Sequence, residues 1–288
     1  MFKQLGLVGC GLMGGSFALA LRQRGLVERV VGYSKSPSTT ARARQLGVID
    51  AQAPSALQAV SGSDVVLLAV PVAATGSTLA AIRELLTADI LVMDVGSTKQ
   101  DVVAAARAAL GDRIGAFVPC HPVAGKESAG IDHAQADLYR DQQVVITPTE
   151  HTGAQQLRQA QAVWEAVGAR VRLMAPDAHD AAFAAISHLP HLVAFAAIRA
   201  ISSQPRGAEF LSLAGPGFRD FTRIAASDAA VWRDILLANR AEVLDQLSHL
   251  RGSLDALEQS LQAGDPADLE DQIRRVSATR AAWRMGSK

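Results

Sequence analysis

The chain has 288 residues, 49% of them hydrophobic, and its 28 Lys plus Arg are balanced by 28 Asp plus Glu. That balance argues against nucleic acid or an anionic membrane surface as the main partner, and the length suits two moderate cores better than one. Cys10 and Cys120 stand too far apart for a metal-ligand spacing or a disulfide framework, which fits a reducing cytoplasm. The start carries no leader pattern, and no apolar run is expected to reach the roughly 18 residues of a membrane helix.

The first predicted strand, "LGLVG", runs into "GCGLMGGS", in which Gly9, Gly11 and Gly14 hold the G-x-G-x-x-G spacing ahead of an Ala/Leu-rich helix. The first glycine permits a tight turn, the second lets backbone approach a pyrophosphate, and the third lets helix pack on strand. The helix N-terminus then offers its amides to the phosphates. Set between a strand and a helix, the pattern points to a nicotinamide or flavin dinucleotide, with Leu12 and Met13 beside it.

The second strand, "VVGYSKS", ends where an NAD site usually carries Asp or Glu for the ribose hydroxyls. Ser34 and Lys35 stand there instead, and a hydroxyl followed by a cation suits a 2′-phosphate, favouring NADP over NAD. The plainer alternative makes Lys35 a solvated loop lysine in an enzyme that accepts either cofactor. The third strand, "DVVLL", leads into "AVPVAAT", which puts Val70 and Pro71 beside the cofactor as lining.

Further runs, "DILVMDVG", "IGAFVPC" and "QQVVITP", continue the alternation of strands with Ala-rich helices that marks βαβ units in a parallel sheet. After "ARVRLM" the strand signals fade, and Ala, Leu, Arg and Glu recur at helical spacing almost to the end. The expected architecture is an α/β Rossmann-type domain over 1–165 followed by an all-α domain over 166–288, with the transition in a Pro- and Gly-bearing stretch between about 150 and 178. The terminal "RMGSK" reads as a frayed tail.

Two groups of residues carry chemistry. "MDVGSTKQDV" puts Ser97 at a carboxyl end of the sheet, where open α/β folds bind ligands, although Ser97 could equally cap the helix that begins near Gln100. "CHPVAG" is expected to end the next strand on that edge, bringing His121 near Ser97 and the cofactor. In "ISHLPHLVAF", Ser187 and His191 lie four apart on one helical face, and Pro190 should kink the helix. "GPGFRDFTRIAASDAAVWRDI" places Arg219 and Arg223 on a shared face, either of them able to pair with Asp220, and Trp232 reads as a core residue. His133, His151, His179 and His249 have no motif around them and are expected at the surface, while His188 is given a structural role. Cys120 beside His121 lacks a third ligand, so no metal is expected.

In this order, "GLVGCGLMGGS", "DVGSTK", "HPVAGKESAG", "SHLPH" and "GFRDFTRIAASDAAVWRDI" resemble the prephenate/arogenate (cyclohexadienyl) dehydrogenase family of tyrosine biosynthesis over nearly the whole chain. The resemblance implies a Rossmann domain, a helical dimerisation domain and NAD(P)-dependent oxidative decarboxylation of prephenate, arogenate or both. It assigns His121 as acceptor of the proton on the ring 4-hydroxyl, and Ser97 as a hydrogen-bond partner of that histidine or of that hydroxyl. Arg223 becomes the grip on a substrate carboxylate, with Ser187 and His191 lining the pocket. His191 as a donor to a carboxylate or keto oxygen tilts slightly toward prephenate, the NADP-favouring second strand tilts toward arogenate, and relaxed choice between the two is the expectation. It further implies a cytoplasmic homodimer with a small-molecule substrate, in which any inhibition by tyrosine would act at the active site. Two other readings stand beside it. A β-hydroxyacid dehydrogenase-like oxidoreductase would need a lysine in the second domain, where none occurs between Lys126 and Lys288. A non-catalytic dinucleotide-binding protein would have no use for His121, Ser97 and Arg223 together.

Overall fold

The computed structural model describes residues 1–125 and 129–284; the "KES" of the "HPVAGKESAG" block and all but Arg284 of the expected tail lie outside them. Six strands form one parallel sheet: β1 (Phe2–Val8), β2 (Val27–Tyr33), β3 (Ala51–Gln52), β4 (Val65–Leu68), β5 (Leu91–Asp94) and β6 (Phe117–Val118), in the order β3-β2-β1-β4-β5-β6. They are linked by α1 (Leu12–Gln23), α2 (Pro37–Gln45), α3 (Ala56–Val60), α4 (Thr75–Ile82) and α5 (Gln100–Leu110). Successive strand residues feed opposite faces. Leu67 and Met93 join a core with Phe17, Tyr139 and Trp164, whereas Val66, Leu68 and Val92 join one with Leu79, Ile82 and Val102. Burial on both faces is why β4 and β5 read as continuous apolar runs.

The expected single parallel sheet breaks at Pro119. "IGAFVPC" splits there, because proline has no N–H to continue the ladder, and its carbonyl instead accepts from the Thr147 amide at 3.0 Å. A second sheet begins at β7 (Cys120–Val123), pairs antiparallel with β8 (Gln143–Ile146), and is completed after α6 (Ala154–Ala166) by β9 (Arg170–Leu173), parallel to β8. "CHPV" is therefore a strand of its own, with His121 opposite Val145. The boundary expected at 165/166 precedes β9, so the sheet-bearing part runs on to Leu173.

The chain then turns helical. α7 (Pro176–Phe183), a π-type turn (Ala184–His188) and α8 (Leu189–Ser202) form one continuous helix of 27 residues. The expected kink at Pro190 takes the form of this wide turn, which absorbs the ring clash and the missing N–H just ahead of the proline. By length and composition this helix could cross a membrane, contrary to the sequence expectation. It also carries the fully buried polar side chains His179, Asp180 and His188, which belong to the interior of a folded unit. α9 (Gly207–Ser212), α10 (Pro216–Thr222), a short 3₁₀ turn (Arg223–Ala226) and α11 (Ala229–Ala238), capped by Asp228, follow.

Two compact units result, Met1–Arg240 and Ala241–Lys288. The second contains most of α12 (Arg240–Ala263) and all of α13 (Pro266–Ala282). Gly264 turns the chain between them at φ +63°, Asp265 caps α13, and Ser260, Asp268 and Gln272 form hydrogen bonds across the hairpin. Leu254, Leu261, Ile273 and Val276 remain more than half exposed on it.

Candidate active site

The glycine loop is shaped by close contacts. Gly9 has φ +102°, and a Cβ there would lie 2.1 Å from the Ala69 carbonyl; a Cβ on Gly14 would lie 2.1 Å from the Gly9 carbonyl. Around Gly11 nothing lies within 4 Å of the corresponding point. It opens on a cleft of about 380 Å³ also lined by Leu12, Met13, Val70, Pro71 and Ser97, with Val231 and Ile235 of α11 on its other side. A bare glycine backbone at the N-terminus of a 12-residue helix with no side-chain cap is a cradle for a pyrophosphate. Ser34 accepts a hydrogen bond from the Cys10 amide at 2.7 Å and so fastens the loop, while Lys35 is exposed. Burial pushes the Cys10 thiol up to about 11, making it an inert packing residue.

His121 is positioned by a fully buried ion pair. Lys99 Nζ lies 2.5 Å from Asp94 Oδ2 and donates to the Cys120 carbonyl at 2.8 Å, while Asp94 Oδ1 accepts the Cys120 amide at 2.9 Å. These bonds tie the end of β5 to the start of β7, one residue before His121. Both cysteines are buried free thiols, and no cluster of potential metal ligands occurs among the described residues.

The surface placement expected for His179 is wrong. Its ring is fully buried, with Nε2 lying 2.8 Å from His121 Nδ1 and Nδ1 lying 2.7 Å from Asp180 Oδ1. Asp180 in turn accepts the backbone amides of Lys99 at 2.8 Å and Gln100 at 2.9 Å, capping α5 from a different segment. Ser97 therefore caps nothing, and it is not the partner of His121 Nδ1. Ser97 is half-buried, lines the cleft and has no side-chain hydrogen-bond partner among the described residues. Phe183 stacks on His179 with centroids 4.4 Å apart and packs against His121 at 4.5 Å. His121 keeps 7% of its surface, and its Nε2 has no partner among the described residues.

In the helical part, His191 Nδ1 donates to the Ser187 carbonyl at 2.9 Å. The neutral ring therefore offers a lone pair at Nε2, not the donor expected from sequence. Trp232 is half-buried and stacks on His191 with centroids 3.4 Å apart. His188 is buried and receives the Asn239 amide, which also donates to the Asp180 carbonyl at 2.8 Å. Arg223 is exposed in the 3₁₀ turn packed against α8, the helix that carries His191. Asp94, Lys99, His179, Asp180 and Asn239 escaped the sequence reading of the site. The one local signal was "HD" in the first turns of an apolar helix, where a charged pair calls for a buried partner.

Electrostatics keep these imidazoles neutral. Burial, followed by the neighbouring His179, Lys99 and His188, lowers the His121 pKa well below its ordinary value. Burial likewise lowers His179 against the opposing pull of Asp180, pushes His188 down to about 4, and lowers His191. Burial raises Asp180, but hydrogen bonds from His179, Gln100 and Lys99 outweigh it and hold the carboxyl below its usual range.

Lys99→Met is expected to cost about 3–5 kcal/mol by leaving Asp94 buried without its counter-charge. Urea unfolding should show the Lys99→Met/Asp94→Asn pair losing clearly less than the sum of the single changes, and additive losses would mean the two are not coupled. A second expectation concerns acid. The unfolded chain takes up protons at an ordinary histidine pKa of 6.5, whereas the folded sites resist them, in the case of His188 down to about 4. Stability should thus be greatest above pH 6.5 and fall as pH drops from there toward 4, with Asp180 adding to the loss at the acid end. A melting temperature flat across that window would contradict the neutral burial of these rings.

Comparison with known proteins matches this geometry to one family. The prephenate dehydrogenase nucleotide-binding domain matches residues 17–173, and the prephenate dehydrogenase dimerization domain matches residues 175–275. Cyclohexadienyl dehydrogenase of Zymomonas mobilis is 34% identical over 98% of this chain and 96% of its own length. Prephenate dehydrogenase from A. aeolicus, solved in complex with hydroxyphenyl propionate and NAD+, superposes with a TM-score of 0.90 at 36% identity, covering 98% of each chain. Synechocystis arogenate dehydrogenase superposes with a TM-score of 0.81 at 29% identity, covering 97% of this chain and 99% of its own. With the nucleotide-binding and dimerization domains matched in order over residues 17–173 and 175–275, the chain belongs to the prephenate/arogenate (cyclohexadienyl) dehydrogenase family of NAD(P)-dependent oxidoreductases in tyrosine biosynthesis.

Proposed function

We propose that the enzyme carries out the family's oxidative decarboxylation of prephenate, arogenate or both with His121 as the proton acceptor. The observation that carries this reading is a buried neutral imidazole with Nδ1 engaged and Nε2 without a partner among the described residues, on a strand whose start is tied by Asp94 and Lys99 to the sheet end that leads into Ser97. When bound there, the nicotinamide supplies the acceptor for the hydride that leaves ring C4. His121 Nε2 takes the C4 hydroxyl proton as that hydride departs, and the carbon–oxygen bond becomes a carbonyl. The ring carboxylate then leaves as CO2, its electron pair aromatises the ring, and His121 returns the proton to the phenolic oxygen. Ser97, with no hydrogen-bond partner among the described residues, hydrogen-bonds the same hydroxyl.

Arg223 is assigned to a substrate carboxylate, for which a planar guanidinium fork is the right shape. Ser187 serves the pocket through its carbonyl, by orienting His191. A neutral His191 accepting at Nε2 suits the ammonium of arogenate at least as well as the keto group of prephenate, so the tilt toward prephenate loses its support. We assign residues up to about Leu173 to the cofactor and the helical remainder to the substrate and to a homodimer. The exposed Leu254, Leu261, Ile273 and Val276 supply apolar surface for that contact. Two buried free thiols suit a cytoplasmic setting.

NADP is the proposed preferred cofactor, because Ser34 and Lys35 replace the acid that would repel a 2′-phosphate. A steady-state assay pairing prephenate and arogenate each with NAD and NADP should favour NADP, and Lys35→Ala should raise the KM for NADP while leaving that for NAD nearly unchanged. Equal effects on both cofactors would return Lys35 to the solvated loop. His121→Asn is expected to lower kcat by at least about 100-fold with cofactor affinity retained, whereas Arg223→Ala should act mainly on substrate KM. A near-normal rate in His121→Asn would remove it from the mechanism.

A further inference from the structure

We propose that Asp180 and His179 form a relay behind His121 that dictates which of its ring nitrogens is free to accept the substrate proton, making His179 a positioning residue of the reaction. The inference rests on the reading of His121 as proton acceptor and deepens it. A neutral imidazole has one N–H and one lone pair, so the partner of one nitrogen decides the state of the other. The chain of constraints starts at Asp180, whose oxygens already accept the amides of Lys99 and Gln100 and can only accept again. His179 must therefore carry its hydrogen on Nδ1, which lies 2.7 Å from Asp180 Oδ1. That leaves a lone pair on His179 Nε2, at 2.8 Å from His121 Nδ1. His121 must then donate from Nδ1, and its lone pair is confined to Nε2.

Free histidine prefers the opposite form, with its hydrogen on Nε2, so an isolated imidazole at this place would spend most of its time unable to take a proton there. The relay also supports the charged form. When His121 gains the substrate proton on Nε2, its Nδ1–H still points at the His179 lone pair, and the carboxylate of Asp180 lies one ring farther back. One proton is gained by His121 and none is lost, so no further acid or base is needed. Phe183, stacked on His179 and packed against His121, restricts both rings to this alignment.

A purely structural role for the pair, as cap and filler at the N-terminus of α5, would leave the tautomer of His121 unspecified, and that difference can be measured. The full-length protein labelled with ¹⁵N-histidine would be examined by imidazole nitrogen NMR at pH 7, with signals assigned through His121→Asn and His179→Phe. The expected wild-type result is a hydrogen on Nδ1 and a bare Nε2 in both His121 and His179. In His179→Phe, His121 should lose its fixed Nδ1–H form, and kcat should fall by at least about 10-fold with the KM for dinucleotide unchanged. His179→Gln, whose side-chain oxygen can accept the same hydrogen, should recover most of that loss. Wild-type His121 protonated on Nε2 would overturn the relay, as would a His179→Phe protein with both tautomer and kcat unaltered. Should His179→Phe not fold, the wild-type spectrum decides alone. Should no cyclohexadienyl substrate turn over, the tautomers would still test the relay, and the failure would fall on the proposed reaction.

Discussion

The carboxylate of Asp180 is the contact on which both the joining of the helical segment to the parallel sheet and the setting of the buried histidines depend. A helix N-terminus leaves backbone amides without partners, and α5 has no side-chain cap of its own. Asp180 supplies the missing acceptor from a helix 80 residues farther along, taking the amides of Lys99 and Gln100 while the helix dipole favours its charge. Burying a carboxylate is costly unless its lone pairs are filled. Here three N–H donors fill them, the third being His179. The helical segment is thereby registered against the end of the parallel sheet by a directional polar contact, where apolar packing alone would tolerate sliding.

That choice governs the electrostatics of the neighbouring rings. Lys99 lies fully buried a few ångströms away, neutralised by Asp94, and its charge together with burial disfavours protonation of His121. A histidine in water would be partly protonated at neutral pH; burial and these neighbours keep His121 neutral. The same low-dielectric setting strengthens every hydrogen bond in the network and penalises any that is broken. Fold stability and the neutral state of these rings thus draw on one set of contacts, and a change at Asp94, Lys99 or Asp180 should disturb both.

Much of this was legible in the sequence, and the remainder was hidden for identifiable reasons. The glycine loop, the strands β1, β2, β4 and β5 and the shift to helices are local patterns, because glycine spacing and apolar periodicity report local geometry. The cleft brings together Gly11, Leu12, Met13, Val70, Pro71 and Ser97, as their positions at strand ends implied. The second sheet was hidden because "QQVVITP" looks the same whether it pairs parallel or antiparallel, and only Pro119 hinted at the switch. His179 was misread because its partner lies 58 residues away, and no periodicity relates two such positions. Asn239 had still less to announce it, sitting at the end of an ordinary amphipathic helix.

Pro190 shows how a local defect serves the longer-range arrangement. His179 and Phe183 are four apart and share a helical face, as their stacking requires. The next buried polar side chain, His188, is five residues beyond Phe183, and at roughly 100° per residue a regular helix would carry it about 140° off that face. The wide turn over Ala184–His188 spreads more residues through one revolution and reduces that offset. A single Asn239 amide then reaches both the Asp180 carbonyl and His188 Nδ1. Proline here does more than interrupt a helix: its missing N–H fits an irregular turn just ahead of it, and that turn brings successive histidines of one segment toward one interior, where a regular helix would point them apart.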